Sequence, residues 1–293
     1  MSKPQKDGVI VKGIGGFYYV DVDGEVIEAK GKGVLKKDGF ILQVGDNVAL
    51  NFDDDDTPVI ESVRERKNSF IRPPIANVDG IFVTMAITSP EPNFAVIDKL
   101  LVMAEKEDLD IALCINKCDL ADEAKLEEVK NMYKDAYPIY VVSGENGIGI
   151  ESLKLFSEGK RVAFAGASGV GKSTLINALK EEYLMETGSV SAKTNRGRHT
   201  TRHVEIFSMD NGGMIFDTPG FSSYELFDIE TDMLVQYYPD VLKYAKNCKY
   251  DNCKHIKEPE CMVRKAVREG ELNKARYLSY KTNYIELLSK KKY

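Results

Sequence analysis

Residues 166–174 read GASGVGKST and satisfy the pattern GxxxxGK[ST]. In such a stretch the backbone N–H groups of Gly166, Ala167, Ser168, Gly169, Val170 and Gly171 can turn together toward phosphate oxygens. Lys172 can reach the outer phosphates, the Ser173 hydroxyl can ligate Mg2+, and Thr174 closes the motif. A second pattern, NKxD, is supplied by Asn116, Lys117, Cys118 and Asp119. The Asp119 carboxylate can accept hydrogen bonds from both N1–H and the 2-amino group of guanine. Adenine offers neither donor and would leave the charge unpaired, so a preference for guanine is expected. Ser143-Gly144 is expected to add a backbone contact to the same base.

Asp217-Thr218-Pro219-Gly220 fits the DxxG switch, with Asp217 holding Mg2+ through water and the Gly220 amide sensing the γ-phosphate. Upstream, GRHTTR at 197–202 lies where a first switch would stand. A threonine there can complete the Mg2+ shell, Thr201 by preference because it directly precedes Arg202, with Thr200 as the alternative. Phe221 occupies the place where many GTPases carry the glutamine that orients the attacking water, and a phenyl ring cannot do that. His199 is the nearest candidate by sequence to supply that help, although a surface or capping histidine reads equally well.

A third constellation, Cys248, Cys253, His255 and Cys261, has the spacing C-x4-C-x-H-x5-C. Four such ligands match a closed, structural Zn2+ site, and in a reducing compartment such a cluster has few other uses. Lys243, Lys246, Lys249, Lys254, Lys257, Arg264, Lys265 and Arg268, interleaved with Tyr244 and Tyr250, surround these ligands. They could track a phosphate backbone and stack on bases, or form a solvated basic face. Cys114 and Cys118 flank NKxD and read as small packing residues.

The elements that must position these groups follow from periodicity. Residues 8–64 read as five short strands, GVIVKG, GFYYVDV, EVIEAK, DNVALNF and PVIESVR, separated by turn signals such as Asp23-Gly24. Such a set suits a small closed barrel of OB type, which composition alone does not separate from an SH3-like one. Phe17, Tyr18 and Tyr19 read first as its core and second as base-stacking platforms, and Asp53 to Asp56 as a solvated hairpin loop. Residues 65–79, with Pro73-Pro74, read as an extended linker. Beyond it, IFVTMA, IALCI, PIYVV and RVAFA alternate with helical stretches near 94–107 and 121–134 and a further short one, which predicts a parallel sheet flanked by helices. After Gly220 helical spacing dominates, as in Tyr277, Tyr280, Tyr284 and Leu287. The expected segments are therefore a barrel over 1–66, an α/β phosphate-loop GTPase unit over 67–224, and a mainly helical zinc unit over 225–293.

The order of motifs is unusual. NKxD and Ser143 precede the phosphate loop, whereas typical GTPases place them after it. The same sheet can form if the domain is circularly permuted, because the termini of compact domains often lie close together. The DxxG switch would then run straight into the C-terminal segment.

Bulk composition agrees. The chain has 293 residues, 43% of them hydrophobic and 29% charged, enough for several packed units and too apolar to be disordered. The opening MSKPQKDG lacks a hydrophobic signal core, no apolar run is long enough to span a bilayer, and five cysteines are an odd count, so a cytoplasmic location without disulfides is expected. The net charge is -6, yet residues 241–293 carry 14 Lys and Arg against 6 Asp and Glu, which suggests a polyanionic partner met at one end.

Barrel, NSFIRPPIANVD, NKCD, GASGVGKST, GRHTTR, DTPGF and the zinc unit together resemble the bacterial ribosome small-subunit-dependent GTPase A family, over nearly the whole chain. The resemblance implies hydrolysis of GTP to GDP with Mg2+, stimulated by the 30S subunit late in its maturation. It also implies contacts to 16S rRNA through the flanking segments, in a protein expected to act as a monomer away from membranes. The alternative is a GTP-gated RNA-binding module whose hydrolysis is incidental.

Overall fold

Alternating apolar and polar residues at the start of the chain give β1 (Lys6–Ile14), β2 (Phe17–Val22), β3 (Glu25–Gly31), β4 (Asn47–Phe52) and β5 (Pro58–Val63). The computed structural model describes residues 5–32, 40–52, 57–186, 204–218, 226 and 229–290. Antiparallel pairing joins β1 to β2, β2 to β3 and β5 to β4; β3 pairs β5 in parallel, and β4 returns to β1. The five strands therefore close, with Ile10, Val20, Val48, Leu50 and Ile60 fully buried inside, and the OB-type order replaces the SH3-like alternative.

Two expectations for this region are corrected. Phe17 is 38% exposed, with the Lys30 ammonium 5.2 Å from its ring centroid, and Tyr18 and Tyr19 are only half-buried. Aliphatic side chains fill the barrel interior; Phe17 and Tyr19 lie on the face of β2 opposite the buried Val20, while Tyr18 shares the face of Val20, opposite Ala29, at half burial. Residues 65–79 are not simply extended: β6 (Ser69–Ile71) and β7 (Pro74–Ala76) pair as a small antiparallel sheet. Two buried asparagines hold it, Asn68 bonding both ways with Val78 (2.8 and 2.9 Å) and Asn77 donating to the Gly45 carbonyl at 2.9 Å. Side-chain amides thus carry the bonding on at the open end of the hairpin, while Pro73 and Pro74 sit at its turn. The Asp53 to Asp56 run lies outside the described residues.

Further along are β8 (Gly80–Ala86), α1 (Phe94–Lys106), β9 (Asp110–Asn116), α2 (Glu123–Tyr133), β10 (Ile139–Val141), α3 (Ile150–Phe156), β11 (Arg161–Ala165) and α4 (Lys172–Glu186). β12 (Glu205–Ser208) and β13 (Met214–Asp217) follow, then a 3-10 turn (Thr231–Tyr237), α5 (Pro239–Ala245), α6 (Met262–Glu269) and α7 (Lys274–Lys290).

The chain divides into two compact units. One comprises Met1–Gly80, Glu151–Phe164 and Ile176–Ser222; the other comprises Ile81–Ile150, Ala165–Leu175 and Ser223–Tyr293. In the first, β1 pairs β12, β12 pairs β13 antiparallel, and β13 pairs β11 in parallel. In the second, β10 pairs β9 in parallel with β8 beyond, and every described residue of β8 is buried. Its helical end forms one core in which Leu234, Tyr238, Val241, Val263, Tyr280 and Leu287 pack with Val102 of α1. Tyr280, Tyr284 and Leu287 share the buried face of α7, as their spacing predicts.

Candidate functional site

The loop 166–171 joins β11 to α4, and its backbone requires glycine at two places. A side chain at Gly166 (φ 148°) would put its Cβ 2.1 Å from the Thr84 carbonyl oxygen, and one at Gly171 (φ 98°) would put it 2.2 Å from the Asn116 amide. The second near-contact shows how the motifs meet. Asn116, 2% exposed at the end of β9, donates from Nδ2 to the Val170 carbonyl at 2.9 Å and accepts from the Gly144 N–H at 3.1 Å. Lys117, left-handed at φ 63°, donates from Nζ to the carbonyls of Gly169 (2.9 Å) and Ser89. Asn116 and Lys117 therefore brace the glycine loop, a positioning role that sequence reasoning did not assign to them. No local signal could have, since Asn116 and Val170 lie 54 residues apart in the chain.

Asp119 stands exposed on the 3-10 turn Cys118–Leu120 that follows. The turn is held by the Cys118 N–H donating to Val142 O at 3.1 Å. Cys114 is fully buried, as expected of a packing residue, whereas Cys118 is only partly so. Ser143 is buried, exchanging backbone bonds with Ile148 (2.9 and 3.0 Å). Lys172 folds back on its own loop, donating to the carbonyls of Gly166 (2.7 Å) and Ala167 (2.9 Å), and burial lowers its pKa. Ser173 is exposed and Thr174 half-buried on the first turn of α4.

Asp217 ends β13, and its Oδ2 accepts from Lys180 Nζ at 2.8 Å. His199, Thr200, Thr201, Gly220 and Phe221 lie outside the described residues.

The predicted ligands Cys248, Cys253, His255 and Cys261 converge, their ligand atoms all within 4.8 Å of one another. His255 presents Nδ1, 3.5 Å from the Sγ atoms of both Cys248 and Cys261, which are 3.9 Å apart. A tetrahedron with Zn–S of about 2.3 Å and Zn–N of about 2.0 Å has S···S and S···N edges of roughly 3.8 and 3.5 Å. The cluster fits a four-coordinate ion. Burial pushes the Cys253 thiol up to about 12 and raises Cys261, while it lowers His255. An incoming divalent cation would reverse the thiol preference and release protons.

Glu258 organises this loop. Its carboxylate accepts from the N–H groups of Lys254 (2.8 Å), Ile256 (2.8 Å) and Lys257 (2.9 Å), and these bonds outweigh desolvation to lower its pKa. Tyr277 and Tyr280 donate to the carbonyls of His255 (2.9 Å) and Lys254 (3.0 Å), fixing His255 at its left-handed φ of 60°. Glu258→Ala should weaken metal binding by about ten- to a hundredfold, the usual effect of losing an outer-shell partner. Competition with a chromophoric chelator measures it, and an unchanged affinity would show that the loop keeps its shape without the carboxylate.

A glycine loop between strand and helix, braced by an NKxD turn that comes earlier in the chain, defines a GTPase with permuted motif order. Residues 63–227 match the family described as RsgA GTPase, and residues 7–60 match the RsgA N-terminal domain. The small ribosomal subunit biogenesis GTPase RsgA of Alkaliphilus metalliredigens is 40% identical over 289 residues, covering 98% of this chain and 99% of the relative. That of Ruminiclostridium cellulolyticum is 42% identical, covering 93% and 91%. The crystal structure of YjeQ from Thermotoga maritima aligns with a TM-score of 0.83 at 36% identity, over 97% of this chain and 99% of the other. YloQ, described as a circularly permuted GTPase, aligns with a TM-score of 0.80 at 33% identity, over 98% and 96%.

The chain belongs to the RsgA GTPase family and is a GTP-hydrolysing enzyme.

Proposed function

We propose that this chain hydrolyses GTP during late maturation of the 30S subunit, binds 16S rRNA, and turns over faster on the subunit. The observation that carries the reading is the bracing of the loop by Asn116 and Lys117, because it ties base recognition to the phosphate cradle. Support for the ribosomal partner comes from the relatives' names.

In this reading Asp119 selects guanine, with Cys118 beside it in the turn and Ser143 and Gly144 flanking the base. The N–H groups from Gly166 to Gly171, with Thr174, cradle the phosphates. Lys172 releases its loop carbonyls to neutralise the outer phosphates. Ser173, Thr201 and Asp217 would hold Mg2+, which supplies charge neutralisation on the β- and γ-phosphates, and Gly220 would report the γ-phosphate. His199 would orient the attacking water once a partner orders its segment. Cys248, Cys253, His255 and Cys261 would hold one structural Zn2+.

Segments 1–66, 67–224 and 225–293 divide the labour into barrel, GTPase unit and zinc unit, in a cytoplasmic monomer. Among the described residues no helix is long and apolar enough to cross a membrane. Phe17, exposed, and Tyr19, half-exposed on the same face of β2, are the barrel aromatics placed to stack on bases. The basic face is thinner than its composition suggests, because Lys249 pairs with Glu260 (2.6 Å), Lys254 with Asp232 (2.8 Å), and Arg264 donates to Glu258 O (3.0 Å). Lys246, Lys257 and Arg268 are the better candidates for a phosphate backbone.

Multiple-turnover GTPase assays with and without 30S subunits test the proposal. Subunit stimulation is expected, and it should vanish in His199→Ala if that residue orients water. A rate indifferent to subunits, with GTP still controlling binding to them, would make this a GTP-gated RNA-binding module instead.

A further inference from the structure

We propose that Lys180 is a resident counter-ion of Asp217 which Mg2+ must displace, so that this lysine sets how much free Mg2+ the nucleotide-bound protein requires. The inference rests on the assignment of Asp217 to hydrated Mg2+ and concerns the cation which that carboxylate holds beforehand.

Lys180 lies on α4, two turns beyond Lys172. Its Nζ is 2.8 Å from Asp217 Oδ2, the two side chains being 32% and 19% exposed, and it stands 4.9 Å from the centroid of the Phe207 ring. The ammonium is thus held between a carboxylate and an aromatic face. Neighbouring charges are otherwise engaged. Glu205, opposite Asp217 in the β12–β13 register, pairs with Lys12 at 3.1 Å. Among the described residues Lys180 is therefore the cation bonded to Asp217.

A carboxylate engaged in a charge-assisted bond presents less negative potential to a metal-bound water, and a divalent ion arriving nearby is repelled by the ammonium. Lysine suits a displaceable partner. Its charge sits on a flexible four-carbon stem, and the Phe207 ring gives the displaced head an apolar and cation-tolerant surface to move along. Mg2+ must therefore compete with an intramolecular ligand, which raises the concentration at which it fills.

The test titrates Mg2+ into the full chain carrying mant-GDP, reading nucleotide dissociation by fluorescence. Lys180→Met is expected to lower the Mg2+ midpoint by about three- to tenfold, the effect of a unit charge several ångströms from a divalent ion in a partly hydrated site. Lys180→Arg should restore the wild-type midpoint, and mant-GDP affinity in EDTA should be the same for all. Lys180→Gln is expected to match the methionine variant and replaces it if that protein does not bind nucleotide in EDTA. A midpoint that stays put or rises on removing the charge overturns the proposal. Asp217→Asn keeps the two claims apart: it should raise the midpoint. If it does so while Lys180→Met has no effect, only the counter-ion idea fails; if it does not, the Mg2+ assignment of Asp217 fails, and the proposal with it.

Discussion

Replacing Arg276 by methionine is expected to destabilise the protein by about 3–5 kcal/mol, the cost of leaving buried carboxylates without their counter-ion. Arg276, on α7, is 1% exposed, and its partners Asp98 of α1 and Asp240 of α5 are 1% and 4% exposed. The guanidinium donates from Nε (2.8 Å) and NH2 (3.2 Å) to the two oxygens of Asp240 and from NH1 to Asp98. It stands 4.9 Å from the Tyr238 ring centroid and 5.1 Å from that of Tyr133. Burial opposes its charge, but the pull of Asp98 and Asp240 outweighs burial and holds it well above its ordinary value. Burial also pushes the Asp98 carboxyl up, and the guanidinium is what draws it back.

Without Arg276 the folded-state pKa of Asp98 should rise further above its unfolded value. A group so shifted favours the fold below the unfolded pKa and ceases to do so as pH rises through the folded one. The penalty should accordingly be largest near pH 8 and shrink as the pH falls toward 5. Urea unfolding at both pH values measures it, and a loss below 1 kcal/mol at pH 8 would mean that water or a local shift solvates the carboxylates. A variant that also carries Asp98→Asn and Asp240→Asn should recover much of the loss, since replacing all partners of a buried ion cluster is far less costly than removing one.

This cluster also shows what the sequence could reveal and what it could not. The five barrel strands were legible because alternation and turn residues act over a few positions, and each lies within two residues of its expected place. A closed barrel was legible from the number and length of the strands, but the pairing that closes it was not, since no local pattern encodes β3 pairing β5 in parallel. The Cys and His cluster was legible from residue type and spacing, but the turning of His255 Nδ1 toward two of the thiols and the Glu258 brace depend on how the loop folds. Asn116 and Lys117 announced a base site while their bonds to the glycine loop stayed hidden. Arg276 and Asp98 are 178 residues apart, and in the sequence each reads as one more surface charge. Lys180 and Asp217 are 37 apart and equally silent. Chemistry carried by adjacent residues was readable; chemistry assembled by tertiary contact was not.

Asp119→Ala should reduce the preference for GTP over ATP by about ten-thousandfold, chiefly through lost GTP affinity. A site that hydrogen-bonds a donor pair on its substrate rejects an analogue lacking that pair by roughly four to five orders of magnitude, and removing the acceptor removes the rejection. The side chain is exposed on its turn, so the loss should come without a change in melting temperature. The turn is held by backbone bonds, Cys118 N–H to Val142 O (3.1 Å) and Leu120 N–H to Lys117 O (3.0 Å), which the substitution does not touch. Asn116 and Lys117 keep bracing the glycine loop, so binding of the triphosphate group should persist at a level common to both nucleotides. Asp119→Asn carries a further expectation. Xanthine has a carbonyl where guanine has its 2-amino group, and the asparagine amide can donate to it, so this variant should prefer xanthosine triphosphate to GTP. Competition of GTP, ATP and xanthosine triphosphate against a fluorescent nucleotide measures all three affinities. An unchanged ratio of GTP to ATP in Asp119→Ala would place base recognition elsewhere and reduce the NKCD turn to a brace for the phosphate loop.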